Sequence, residues 1–284
     1  MQKFFEKSKQ NSDNEYKLLC EYANSILKNP NGTPVFGGWV KVESIHKKTS
    51  NFKGILYEKN GQYAICFVGT DKWSYKDHGA NLKMATTGES KQIKEAKTFA
   101  NKMSAKYGLN AQNTVSIGHS EGGTEATVVG VENNFKTVTF NAYGISKKQL
   151  ETNKDYTNLV TNYRDPHDPI SKLHENIGTT YITPSTQNKF MKVTPFGFMQ
   201  SHGLKNMGDC DNSIPLEQYK RQNPMFLNKI SDKEITREEI GKMDSDLFKV
   251  YEKEIDFRLA SNRIKSSSDG KWVTINGNHV LIRE

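Results

Sequence analysis

The sequence has few cysteines and no long apolar segment. Its three cysteines, Cys20, Cys66 and Cys210, are widely spaced among 284 residues. Their odd number disfavours a disulfide framework and predicts free thiols. No apolar run approaches the length of a transmembrane helix, and residues 1–17 lack the apolar core of a signal peptide. We therefore expect synthesis in the cytoplasm, with any export relying on a specialised secretion system.

Metal-binding and nucleic-acid-binding patterns are also missing. Cysteine and histidine show no zinc-ligand spacing and no RNA-recognition motif is present, so we predict no metal, no other cofactor and no nucleic-acid partner. What the chain has instead is positive charge, because 40 Lys and Arg against 32 Asp and Glu give a net charge of +8. This excess favours contact with an anionic surface such as a phospholipid membrane. A basic protein without such a partner is the alternative.

Strand and helix patterns alternate along the first 210 residues. Ser12–Glu15 resembles a capping box and predicts a helix from there to about residue 29, and a second helix is predicted over 90–107. Strands are predicted at 54–57, 63–68, 114–117, 137–140, 159–162 and 180–183. Alternation of this kind predicts an α/β fold, with a mostly parallel sheet and helices on both faces.

The composition shifts after about residue 210. Residues 215–265 are charged and mostly helical in pattern, and after them come two β-rich runs joined by Asn276-Gly277, a strong hairpin signal. We predict a first domain over 1–210 and, over 211–284, a helical extension that ends in a β-hairpin.

The segment Gly118–Gly123 reads Gly-His-Ser-Glu-Gly-Gly and lies between a predicted strand and a predicted helix over 124–131. Strand, sharp turn and helix in that order are typical of a nucleophile elbow. The flanking glycines leave room for an exposed, strained serine, so we predict that Ser120 attacks a carbonyl carbon. The alternative is a Gly-rich turn in which Ser120 caps the helix.

A nucleophilic serine needs a base and an acid that orients the base. Asp165 and Asp168 both follow the predicted strand 159–162, and each is also a common turn residue before proline. His202 comes later and fits the chain order serine, acid, histidine. His174 and His279 are the alternatives for the base.

Four segments of the chain resemble the class 3 lipase-like α/β-hydrolases: Phe67–Asp71, Asp77–Leu82, Gly118–Gly123 and Asp168–Leu173. The resemblance implies an α/β-hydrolase fold and selects Asp168 over Asp165. It also implies an oxyanion hole at Thr70, beside the backbone N–H of Glu121. Val68, His78 and Glu121 depart from the family pattern, which puts substrate preference in doubt.

Large apolar residues precede His202 and suggest a place for an acyl chain. Phe190, Phe196, Phe198 and Met199 are predicted to form a pocket or a lid that meets lipid, with ordinary core packing as the alternative. We therefore predict a serine hydrolase of lipid carboxylic esters, of lipase or phospholipase A type. A short-chain esterase or thioesterase is one alternative, and a non-catalytic interaction protein on the same fold is another.

The tail from about residue 231, and notably the run Lys271–Ile282, resembles segments of phage-derived and polymorphic-toxin proteins. That resemblance implies an antibacterial effector or a phage-associated lipase, with an immunity or inhibitor protein as partner. The alternative is a helix and hairpin that pack on the first domain.

Overall fold

In a computed structural model of the protein, the described residues are 2–69, 91–146, 149–151, 153–168, 171, 176–186, 200–222, 271–275 and 278–282. Among these residues, eight strands form one sheet in chain order and two form a separate hairpin. The strands are β1 (Val40–Lys47), β2 (Phe52–Lys59), β3 (Gln62–Phe67), β4 (Thr114–His119), β5 (Lys136–Phe140), β6 (Val160–Arg164), β7 (Thr179–Ile182), β8 (Ile214–Pro215), β9 (Lys271–Ile275) and β10 (Asn278–Ile282). The α-helices are α1 (Gln2–Ile26), α2 (Lys91–Tyr107), α3 (Glu121–Asn133) and α4 (Leu216–Gln222).

The centre of the sheet is parallel. Strands β3 to β7 pair in parallel, while β1, β2 and β8 join antiparallel at the edges. Parallel neighbours need a crossover connection, and α3 supplies one between β4 and β5. The predicted fold class is confirmed: the chain forms a mostly parallel sheet flanked by helices, as in α/β-hydrolases.

Helices cover both faces of the sheet because successive strand residues point to opposite sides. On one face α1 packs Leu19 against a cluster that includes Tyr57. On the other face α2 packs Phe99 against a cluster that includes Leu56, and α3 adds Ala126. Adjacent residues of β2 thus enter different cores, and the sheet is buried on both sides.

Two hairpins predicted from Asn-Gly are present. Strands β2 and β3 pair antiparallel around Asn60 (φ 51°) and Gly61 (φ 77°), both in the left-handed region that such a turn requires. Strands β9 and β10 also pair antiparallel, with Asn278 opposite Ile275. The domain boundary at residue 210 stays a prediction; β8 and α4, which follow it, lie beside β7 at the edge of the main sheet.

Helix α1 begins at Gln2, so the predicted start at Ser12 is wrong. Residues 2–11 contain neither glycine nor proline, and nothing in that stretch breaks a helix. A capping box is worth only about 1 kcal/mol, too little to end a helix that can continue.

Buried polar groups tie α1 to the rest of the molecule. The Lys17 ammonium donates to the carbonyls of Met207 and Gly208, at 3.0 and 2.8 Å, and so anchors the chain just after His202. All three cysteines are free, as predicted, and all three are buried. The Sγ atoms of Cys20 and Cys66 lie 3.8 Å apart between α1 and β3.

Candidate active site

Ser120 forms the sharp turn between β4 and α3. Its φ of 61° and ψ of −128° lie in a region that non-glycine residues rarely adopt, which is the strain expected of a nucleophile elbow. The neighbouring glycines supply space rather than unusual dihedral angles. A Cβ atom at Gly118 would overlap the backbone of Gly122, and one at Gly122 would overlap the carbonyl of Phe67.

The Ser120 hydroxyl is directed at a histidine. Although Ser120 occupies the N-cap position of α3, its side chain makes no capping hydrogen bond, so the helix-cap alternative is wrong. Its Oγ instead lies 2.7 Å from Nε2 of His202. The other ring nitrogen of His202, Nδ1, lies 3.0 Å from Oδ2 of Asp168. Three residues predicted from separate loops are therefore brought together in one chain of hydrogen bonds.

The two candidate acids have different partners. Asp168 faces His202 and also accepts a hydrogen bond from the backbone N–H of Ser171 at 3.2 Å. Asp165 accepts from the backbone N–H of His167 at 2.8 Å, which is the turn-forming contact expected of an aspartate before proline. Of the other histidines, His174 lies outside the described residues and His279 lies on β10.

The site is almost closed to solvent. Ser120 is 6% exposed, and His202 and Asp168 are 0% exposed, so the predicted exposure of the serine is wrong. Close packing explains the difference. A Cβ on Gly69 would lie only 3.1 Å from that of Ser120, and the His202 ring and the Tyr143 hydroxyl both contact the Ser120 side chain.

Part of the predicted oxyanion hole can be located. Glu121 is the first residue of α3, and the first turn of a helix directs backbone N–H groups outwards along its axis, as an oxyanion requires. Gly69 lies close to the start of this helix, since a Cβ atom placed on Gly69 would be 3.7 Å from the backbone nitrogen of Glu121. Thr70 lies outside the described residues, as do the predicted acyl-binding residues Phe190, Phe196, Phe198 and Met199.

Three residues beside the triad were not predicted from the sequence. His119 lies against His202, with ring centroids 4.8 Å apart. Burial first, and then electrostatic repulsion between the two imidazoles, lower the pKa of His119 to about 3. Asn141 directly follows β5 and donates to the carbonyls of Ser201 and His202. The rule that chemistry collects beyond the carboxyl ends of parallel strands could have found it.

Tyr143, the third, is 6% exposed, and its ring centroid lies 6.4 Å from that of His202. Burial, followed by the charge of Glu121, raises the pKa of the Tyr143 hydroxyl, and a hydrogen bond with the Ser120 side chain opposes this effect. Tyr143 therefore remains protonated at neutral pH and keeps a hydroxyl donor next to the nucleophile.

Among the described residues, no three His, Cys, Asp or Glu side chains are grouped as ligands for a metal ion. In the same part of the chain, no helix combines the length and the apolar character of a membrane span.

Similarity to known proteins agrees with this arrangement. Residues 38–196 match the model of a Tle-like phospholipase domain, and the match includes Ser120 and Asp168 and spans more than half of the chain. The chain belongs to the Tle-like phospholipase family. It is also 31% identical over 116 residues to the extracellular phospholipase A1 of Serratia liquefaciens, across 41% of this chain and 35% of that protein. The match thus spans about a third of the length of that relative.

Solved lipase structures are also similar to this family member. The triacylglyceride lipase of Rhizomucor miehei has a TM-score of 0.49 and 12% identity, over 72% of this chain and 97% of that one. Lipase II of Rhizopus niveus has a TM-score of 0.48 and 13% identity over the same shares of each chain.

Proposed function

We propose that this protein is a serine hydrolase that removes an acyl chain from phospholipid through an acyl-enzyme. The observation that carries the proposal is the position of His202, whose two ring nitrogens lie 2.7 Å from Ser120 Oγ and 3.0 Å from Asp168 Oδ2. A base between a hydroxyl and a carboxylate is the arrangement that activates serine for acyl transfer.

In the first half-reaction, Nε2 of His202 takes the proton of the Ser120 hydroxyl while Oγ bonds to the ester carbonyl carbon. Asp168 accepts from Nδ1–H, which fixes the tautomer and stabilises the imidazolium. The carbonyl oxygen becomes an oxyanion, for which we assign the Glu121 backbone N–H as one donor. Losing one such donor typically costs about 3 kcal/mol of barrier. Thr70 stays the predicted second donor.

The tetrahedral intermediate then collapses. The bond to the leaving alkoxide breaks, His202 returns its proton to that oxygen, and the acyl group remains on Ser120. Water attacks this acyl-enzyme with His202 again as base, which releases a fatty acid and restores the serine hydroxyl.

Two observations support phospholipid as the substrate. The family is phospholipase-like, and the Serratia relative is named a phospholipase A1. The net charge of +8 also suits an anionic lipid surface. We assign cleavage to the ester at the first glycerol position, by analogy with that relative, and the aromatic segment around Phe196 remains the predicted acyl pocket.

A fluorophosphonate probe tests the enzyme class. We expect wild type to be labelled, and Ser120→Ala to lose both labelling and at least about 10⁴-fold of esterase activity. Ser116→Ala is the matched control, because the Ser116 hydroxyl on β4, the strand that leads to Ser120, is buried and donates to the Ala126 carbonyl. Unlabelled wild type would support the non-catalytic alternative instead, and equal labelling of wild type and Ser120→Ala would rule out Ser120 as the nucleophile.

Vesicles of phosphatidylglycerol with different acyl chains at its two positions test the substrate. We expect release of the acyl chain from the first position, and mass spectrometry of the released acids identifies it. Release from the second position would overturn the assigned cleavage site. Hydrolysis restricted to short-chain p-nitrophenyl esters or thioesters would replace the lipase assignment with the short-chain alternative.

We also infer a role as an antibacterial effector, on the basis of the family and the C-terminal resemblance at Lys271–Ile282. Export by a specialised system and an immunity protein remain predictions that belong to this role. Expression directed to the bacterial periplasm should arrest growth with wild type and not with Ser120→Ala. Equal growth of the two strains at equal protein level would rule the effector role out.

A further inference from the structure

The backbone carbonyl of His202 accepts two hydrogen bonds from side chains, one partly buried and one fully buried. Nε2 of His119 lies 2.7 Å from this oxygen, and Nδ2 of Asn141 lies 3.0 Å from it. The same Asn141 nitrogen also lies 3.0 Å from the carbonyl of Ser201. Two strand ends, those of β4 and β5, therefore hold the short segment that carries the proposed base.

Asn141 also connects this segment to the acid loop. Its Oδ1 accepts from the backbone N–H of Asp165 at 2.8 Å, and its own N–H donates to the Tyr163 carbonyl at 2.9 Å. Asn141 is fully buried and has a φ of 44°, a conformation that asparagine tolerates better than most residues. The side-chain amide donates through Nδ2 and accepts through Oδ1, two separate atoms that face the two loops. A single residue thus bridges the loops of Asp168 and His202.

His119 supplies the second contact from within the elbow itself. Since a carbonyl oxygen can only accept, Nε2 of His119 carries the proton that it donates to the His202 carbonyl, and the lowered pKa of His119 keeps its ring neutral near neutral pH. Its ring faces that of His202 at 4.8 Å with an interplanar angle of 38°. A neutral neighbour of this kind supports the imidazole without repelling the imidazolium that forms during catalysis.

We propose that His119 and Asn141 are positioning residues, which fix the backbone of His202 so that its ring reaches Ser120 and Asp168 simultaneously. The proposal rests on the function proposed above. A misplacement of about 1 Å in a catalytic group can lower the rate about 10²-fold. The two hydrogen bonds to the His202 carbonyl hold the imidazole in place, so we expect them to have a large effect on catalysis.

A matched pair of variants at position 119 tests the donor. His119→Met keeps the size of the side chain and removes the N–H, whereas His119→Gln places an amide N–H near the position of Nε2. We expect His119→Met to lose roughly 10²-fold in kcat with little change in KM, and His119→Gln to recover to within about tenfold of wild type. Equal losses in the two variants, or no loss in a folded His119→Met, would overturn the role of the donor.

A second variant tests the amide. Asn141→Asp tolerates the positive φ and keeps an acceptor for Asp165, but it loses the donor to the His202 carbonyl. We expect a loss in kcat similar to that of His119→Met, and thermal unfolding shows whether each variant is folded. Unchanged kcat in folded Asn141→Asp would overturn the role of Asn141.

The proton NMR signal of the His202 Nδ1–H, hydrogen-bonded to Asp168, gives a readout that does not need activity. We expect this low-field signal in wild type, its broadening or loss in His119→Met, and its return in His119→Gln. An identical signal in all three proteins would overturn the proposal even if the rates differ. If wild type shows no hydrolysis, the proposed function fails, while the signal still tests the positioning of His202.

Discussion

Asp168 and Glu125 both carry buried carboxyls. Asp168 lies in the loop after β6 and Glu125 in α3, the helix that follows Ser120, and the two carboxyls differ in their partners. Asp168, 0% exposed, lies 3.0 Å from His202 Nδ1 and accepts from the Ser171 N–H. Glu125 is 1% exposed in the second turn of α3, and neither of its oxygens has a hydrogen-bond partner among the described residues. The Asp168 carboxyl is thus hydrogen-bonded within the site, whereas the Glu125 carboxyl has no such bond in the part of the chain that the structure describes.

Burial has opposite consequences in the two regions. A buried carboxylate is stabilised when it accepts hydrogen bonds and faces a base. A buried carboxyl without hydrogen bonds instead lowers the free energy of unfolding. Burial first raises the pKa of Glu125 well above its usual value, and nearby acidic groups add to this effect: Glu121, Glu95 and Cys66. The contrast shows that partner geometry, and not burial alone, separates a functional acid from a costly one.

We expect the largest loss of activity when the carboxylate of Asp168 is replaced. Asp168→Asn leaves the shape of the site intact but favours the wrong tautomer of His202, so kcat should fall about 10⁴-fold. Asp165→Asn is the matched control, since it changes an equally buried carboxyl three residues away, and we expect its kcat to stay within about tenfold. Comparable losses in both variants would mean that Asp165 shares the role of the acid.

Replacing the buried carboxyl of Glu125 should instead increase the free energy of unfolding. Because the folded pKa of Glu125 is raised, the free energy of unfolding falls as pH rises above the ordinary glutamate pKa of 4.5. Glu125→Met removes the unpartnered carboxyl at similar volume, and we expect a gain of about 1–3 kcal/mol at about pH 8 and less at about pH 5. Urea titrations at the two pH values measure it. Destabilisation at both would show that Glu125 has a partner that it stabilises.

His119 should show the opposite pH dependence. Its folded pKa of about 3 lies below the unfolded value of 6.5, so the unfolded state takes up a proton first and stability falls as pH decreases between these values. From about pH 7.5 to about pH 5.5, wild type should lose about 1.4 kcal/mol more than His119→Gln. Parallel losses in the two proteins would show that His119 titrates normally when folded.

Local features of this protein were predictable from its sequence. The elbow at Ser120 and the turn at Asn60-Gly61 depend on which residue types fit a tight backbone, and neighbours in the chain determine that fit. The parallel order of the sheet followed from alternating periodicities. Strand β1 was missed because Lys41 obscures its pattern: this lysine points inwards, where its ammonium donates to the carbonyls of Leu27 and Asn29.

The contacts among the side chains of the site depend on how the chain folds. Asp168 and Ser120 lie 34 and 82 residues from His202 along the chain. A local pattern therefore does not show whether Asp168 or Asp165 contacts the histidine. The burial of Ser120 and the bonds from His119 and Asn141 to the His202 carbonyl are likewise long-range contacts. The nucleophile, its turn and the fold class can be predicted from the sequence, because short-range sterics and periodicity encode them. The partners of the nucleophile depend on how distant strand ends converge, and that is a property of the packed sheet.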